Sequence, residues 1–183
     1  MNHGSGSTPE NGWSVMTSVN EDNIIEVVQR LVDERDIERV LFQYAFHLDA
    51  ADPQSMLPLF VEDLYVAYGP SHGATGAENY LDVLSNDKTG IAAFFAGTSH
   101  HVSNIVIDFV NKDTAKVRSV LYAWHKYYRD RPDGIVYAQY HDEFTRTDEG
   151  WKISRREQKT AGTENYHAKA HALVPTPRTQ KTS

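Results

Sequence analysis

The chain has 183 residues, with 18 Lys plus Arg against 25 Asp plus Glu, a formal net charge of -7 and no cysteine. That length suits one domain with a real core. The acidic balance leaves no electrostatic footprint for nucleic acid or an anionic membrane, and the lack of cysteine removes disulfides, thiolate metal sites and cysteine nucleophiles. No apolar run is long enough to span a bilayer, and no basic-then-apolar pattern opens the chain, so a cytoplasmic protein is expected.

Residues 1–20 are rich in Gly, Ser, Asn and Pro and are expected to be a disordered tail. A first helix is predicted from Asp22 or Asn23, with Ile24, Val27, Val28, Leu31 and Val32 at helical spacing. The pattern resumes after Asp33-Glu34-Arg35 with Ile37, Val40, Leu41, Tyr44, Ala45 and Leu48, as one long helix or two joined by a bend. Asp52-Pro53 stops it, and Gln54 to Phe60 reads as a short helix. Leu64 to Tyr68 reads as a strand ended by Gly69-Pro70, Ala77 to Leu84 as a further helix, and Ile91 to Phe95 as another turn of helix. The runs His100–Val110, Thr114–Tyr128, Ile135–Thr147 and Trp151–Thr163 are rich in Val, Ile, Tyr and Trp and read as long strands. Asn111-Lys112-Asp113, Arg131-Pro132-Asp133-Gly134 and Asp148-Glu149-Gly150 lie between them as hairpin turns. Helices followed by an antiparallel meander define an α+β fold, a curved sheet covered by N-terminal helices around an internal pocket. The domain is expected over 21–166, with 167–183 as a C-terminal extension.

Side chains alternate along a strand, so His100 and His101 must face opposite sides of the sheet. An imidazole is the natural general base near neutral pH. Asp49 ends the apolar helix stripe that includes Tyr44, and a carboxylate there can orient and charge a histidine. We expect Asp49 and His100 to meet. His125 shares a strand face with Ala123 and Tyr127, and alternation alone does not say whether that face lines the pocket. Gln139, on the run Ile135 to Thr147, is a further candidate substrate contact. Of Arg155 and Arg156, one is expected at the surface and the other as a pocket cation. The aromatic residues Tyr44, Phe46, Tyr68, Phe94, Phe95, Tyr137 and Tyr140 suggest a flat or polycyclic, largely apolar ligand. No His-x-His or His-Glu-x-x-His spacing supports a metal site; no Gly-x-Ser-x-Gly elbow or Gly-x-Gly-x-x-Gly loop occurs.

The helix ending at Asp49, the run Leu59-Phe60-Val61-Glu62-Asp63, the segment Thr98 to Asn104 and the hairpin Asp142-Glu143-Phe144 to Gly150-Trp151-Lys152-Ile153 together resemble the SnoaL-like branch of the NTF2-like superfamily. The likeness spans roughly residues 22 to 165. Asp49 and His100 match the dyad of a lyase group that includes scytalone dehydratase, hexachlorocyclohexane dehydrochlorinase and bile-acid 7α-dehydratase. The resemblance implies a cofactor-free lyase in which His100 is the base and Asp49 orients it. Tyr44, Tyr68, His125 and Arg156 are implied as substrate-binding residues, and Leu48 replaces a tyrosine of scytalone dehydratase beside the aspartate. It also implies a homo-oligomer, with a trimer favoured, that packs through the convex sheet face bearing Tyr122, Trp124 and Tyr128. Alternatives are a ketosteroid-isomerase or polyketide-cyclase type of proton transfer, or a non-catalytic module like the small subunit of aromatic-ring dioxygenases.

Overall fold

The computed structural model describes residues 19–69 and 73–167. All but the last two residues of the expected N-terminal tail, and nearly all of the C-terminal extension, lie outside those residues.

The first helix, α1, is continuous over Ile24–Asp49. It is entered through a reciprocal pair, with the Asn20 amide donating to Asn23 Oδ1 (2.8 Å) and the Asn23 amide to Asn20 Oδ1 (3.2 Å). At its end Ala51 turns left-handed (φ 52°) and the Asp52 amide returns to the His47 carbonyl, so the chain leaves directly after Asp49. A 3-10 helix over Gln54–Leu59 leads into β1 (Phe60–Ala67). The short strand β2 (Gly73–Thr75) folds back on β1, because Gly73 lacks the Cβ that would meet the Val66 carbonyl at 2.1 Å. Two helices follow, α2 (Ala77–Ser85) and α3 (Ile91–Phe94), and then β3 (Phe95–Asn111), β4 (Thr114–Tyr127), β5 (Gly134–Thr147) and β6 (Gly150–Glu164).

The curved, unclosed sheet runs in the order β2-β1-β6-β5-β4-β3. The last four strands form the expected antiparallel meander, but β1 pairs with β6 in parallel, so the sheet is mixed. The α2–α3 excursion between β1 and β3 lets β1 join the far edge of the meander. The structure thus has the expected α+β class and NTF2-like architecture.

Burial alternates along β4, with Ala115, Val117, Leu121, Ala123, His125 and Tyr127 facing inward. Two irregularities shift the phase on its neighbours. On β3, Thr98, His100 and Val102 share one parity, whereas Ile105, Ile107 and Phe109 pack on the core with the other. The change occurs at a register shift between Ser103 and Val106, where Asn104 has φ 48°. On β6, Trp151 and Ile153 point inward, and after a shift opposite Glu143/Phe144 the inward residue becomes Arg156. The core fills the space between this face and α1, whose Ile37, Leu41, Tyr44 and Leu48 are buried. At one end Asp33 of α1 accepts hydrogen bonds from Arg146 (2.5 Å) and Trp151 Nε1 (3.2 Å), which tie the helix to β5 and β6, and from Gln29 (3.1 Å) of its own helix.

Candidate active site

At the other end of α1 the concave face opens into a cavity of about 680 Å³. Its wall is mostly apolar, with Leu48, Leu84, Ile91, Phe94, Phe95 and Leu121 prominent. The polar side-chain groups in it are hydroxyls, imidazoles and the Gln158 amide; among the described residues no Lys, Arg, Asp or Glu lines it. Such a wall selects a neutral ligand held by a few oriented hydrogen bonds.

Asp49, the last residue of α1, meets the start of β3. Its Oδ1 lies 2.6 Å from His100 Nδ1 and accepts a 2.7 Å bond from Thr98 Oγ1, while Oδ2 accepts the His100 backbone N–H at 2.8 Å. Burial raises the Asp49 pKa, but the His100 side-chain and backbone hydrogen bonds and the Thr98 hydroxyl outweigh it, leaving the carboxyl below its ordinary range. An ionised carboxylate only accepts hydrogen bonds, so Nδ1 of His100 is the donor in this contact and Nε2 is the ring nitrogen left for the cavity. The His100 ring lines the cavity with its side chain 8 % exposed. His101 faces the other side of the sheet, where it meets Ser99 Oγ at 3.0 Å and the edge of Tyr122.

His125 of β4 lies on the cavity face, its ring 5.5 Å from that of His100 in an edge arrangement. Burial, with the neighbouring His100 and His167, pushes its pKa down to about 4, so it is neutral near pH 7. Its Nδ1 is buried and has no hydrogen-bond partner among the described residues.

Tyr44 of α1 and Tyr68, just beyond β1, also line the cavity, and both meet Tyr80 of α2. Tyr44 Oη is 2.9 Å from Tyr68 Oη and 2.7 Å from Tyr80 Oη, and the Tyr68–Tyr80 contact closes the triangle. Burial, the largest influence, together with the adjoining phenols raises the pKa of Tyr68 and Tyr80 well above normal, so these groups stay protonated.

Two expected contacts lie elsewhere. Arg156 is the inward arginine, yet it is not in the cavity wall. It is fully buried behind the wall, bidentate to Asp142 (2.8 and 2.7 Å), with its guanidinium about 4 Å from the ring centres of Tyr44 and Tyr140. The Asp142 carboxylate keeps it charged against the cost of burial. Gln139 sits on the opposite face of β5, because Val136, Ala138 and Tyr140 take the inward parity; its Oε1 is 3.1 Å from His141 Nε2. The same alternation turns Tyr137 outward, and Phe46 stands on the outer side of α1 at 75 % exposure. Phe94, Phe95, Tyr44, Tyr68 and Tyr140 do line the cavity.

Several wall residues were not singled out in the sequence. Thr98 stands two residues before His100 on the same strand face, a spacing that could have revealed it. Tyr80, which stands behind the wall against Tyr44 and Tyr68, carried no sequence signal, since its partners come from distant elements. Tyr166 and His167 complete one wall: the His167 amide donates to Tyr127 Oη (2.9 Å), and its ring stacks on Phe94 at 4.8 Å.

A curved mixed sheet, backed by a long helix and enclosing an apolar cavity with a histidine–carboxylate contact in its wall, is the architecture of an NTF2-like protein. The chain belongs to the SnoaL-like family, whose SnoaL-like domain profile matches residues 29–157. A structure from Novosphingobium aromaticivorans, provisionally named a scytalone dehydratase, is 45% identical, covers 83% of this chain and 99% of its own, and superposes with a TM-score of 0.77. Hexachlorocyclohexane dehydrochlorinase LinA-type3 from Novosphingobium barchaimii LL02 shares the fold at 17% identity, with a TM-score of 0.69 over 82% of this chain and 99% of its own. LinA Type2 is similar, at 18% identity and a TM-score of 0.69 over 80% of this chain and 97% of its own. No curated protein matches the chain. No helix among the described residues is long and apolar enough to cross a membrane.

Proposed function

We propose that the protein is a cofactor-independent lyase, in which a dyad of His100 and Asp49 performs β-elimination on a small, largely apolar cyclic substrate. The observation that carries this reading is the 2.6 Å contact between Asp49 Oδ1 and His100 Nδ1 beside a cavity without charged walls. His100 Nε2 takes a proton from a carbon next to an electron-withdrawing group. The electron pair forms the new double bond, and hydroxide or halide departs from the adjacent carbon. Asp49 fixes the tautomer and stabilises the imidazolium that forms. The hydroxyls of Tyr44 and Tyr68, with His125, are the hydrogen-bonding groups for the substrate carbonyl or the leaving group. The 45% identical relative supports the elimination class.

We assign the site to a soluble, cytoplasmic homo-oligomer, a trimer packed through the convex sheet face, where the rings of Tyr122 and Tyr137 meet at 5.6 Å and remain 38% exposed.

The test is a panel of β-hydroxy ketones and halogenated alicyclics followed by mass spectrometry. A product lighter by one water or one hydrogen halide is expected. A product of unchanged mass would replace elimination with isomerisation.

A further inference from the structure

Helix α1 is apolar on two sides. At about 100° per residue, the buried Ile37, Leu41, Tyr44 and Leu48 define the side that faces the sheet. Almost opposite them run Ile24, Val28 and Leu31, then Phe42 and Phe46, all exposed at 39–75%. A helix that is apolar all round is normally covered all round; here the outer stripe has no cover among the described residues.

The order of residues on this stripe identifies the cover. Ile24, Val28 and Leu31 precede Arg35 by eleven, seven and four residues; Arg39, Phe42 and Phe46 follow it by four, seven and eleven. The stripe is therefore spaced symmetrically about Arg35, with apolar groups at both ends and charge in the middle. We propose that a second copy of this chain docks here, α1 against α1, antiparallel about a two-fold axis at Arg35. Such an isologous contact sets Ile24 against Phe46 and Val28 against Phe42, and each of these pairs occurs twice.

At the axis the two Arg35 side chains face each other, and the flanking Glu38 of each copy supplies the counter-charge. Arg35 reaches Glu38 of its own helix at 3.7 Å while remaining 79% exposed. In the antiparallel pair Glu38 lies about 4.5 Å along the axis from Arg35 of the second copy, so acidic and basic groups alternate across the axis. Leu31 meets the apolar stem of Arg39 of the second copy. An anionic membrane is a poor alternative for a chain with net charge -7. This contact is separate from the convex sheet face, on another side of the molecule, and holds whether or not the site is a lyase.

Because the chain has no cysteine, single-cysteine variants of the full-length protein report neighbours cleanly. A bis-maleimide with a spacer of about 10 Å matches the separation of packed helices. Arg35→Cys is expected to give a covalent dimer at dilute protein. Ile24→Cys alone should not, since its two copies would stand about 33 Å apart; a mixture of Ile24→Cys and Phe46→Cys should. Failure of Arg35→Cys to cross-link, with its circular dichroism unchanged, would overturn the contact. Self-cross-linking of Ile24→Cys alone would overturn the antiparallel arrangement. Leu31→Glu in the Arg35→Cys background should cut the cross-linked yield at least tenfold, and an undiminished yield would equally count against the proposal.

Discussion

His125 shows how environment sets the job of a side chain. Three imidazoles line the cavity, and among the described residues only His100 of the three has a carboxylate partner; His125 is buried beside it and held neutral, with its pKa pushed down to about 4. Unfolded, it would titrate near 6.5, so between those values the unfolded chain binds the extra proton and stability rises with pH. The neutral form is favoured fully above pH 6.5, and its contribution is lost as pH falls towards 4. That loss is on the order of 3 kcal/mol. Denaturant titrations at pH 7 and pH 4.5 should show the drop in the parent chain and a smaller one in His125→Asn. An equal drop in both would mean that His125 is not the group responsible. Asp49, with its lowered pKa, acts in the same direction but below the ordinary carboxylate range. The meeting of Asp49 and His100 was legible because one ends an apolar helix stripe and the other opens a strand. Tyr80 was not legible, because only the folded chain brings it to Tyr44 and Tyr68.

At the scale of elements, β6 explains why the sequence could not decide between Arg155 and Arg156. Simple alternation from Trp151 and Ile153 points to Arg155 as the inward residue; the register shift before Arg156 reverses the parity. Once inside, Arg156 braces the cavity wall from behind, between Tyr44 and Tyr140, with Asp142 as its counter-charge. Removing one member of such a pair leaves a buried charge unmatched. Arg156→Met is therefore expected to lower stability by about 3–5 kcal/mol. The double variant Arg156→Met/Asp142→Leu should recover much of that loss, as read from paired denaturation curves; no recovery would argue that cavity formation rather than charge dominates. The phase change at Asn104 hid the division of β3 in the same way, its first part serving the cavity and its second the core. The strand runs were readable from composition, whereas bulges and the parallel β1–β6 pairing depend on contacts distant in sequence.

For the whole molecule, the α+β class and the NTF2-like architecture were legible from the order of elements. The double apolar character of α1 was visible in the pattern as well, but which stripe faces the sheet is decided only by packing. The proposed assembly uses two surfaces, the convex sheet and the outer face of α1. Sedimentation should therefore show Leu31→Glu as a smaller assembly than the parent, with the sheet-mediated trimer intact. A parent chain that stays monomeric at working concentrations would contradict both surfaces.

The measurement that tests the central claim most directly is the elimination rate of the parent chain and of His100→Ala on whichever member of the β-hydroxy ketone and halogenated alicyclic panel reacts. General-base catalysis contributes about a hundredfold to ten-thousandfold, so a fall of at least the smaller factor is expected, with the thermal melting curve unchanged. A variant that eliminates at the parental rate would remove His100 from the chemistry and contradict the account.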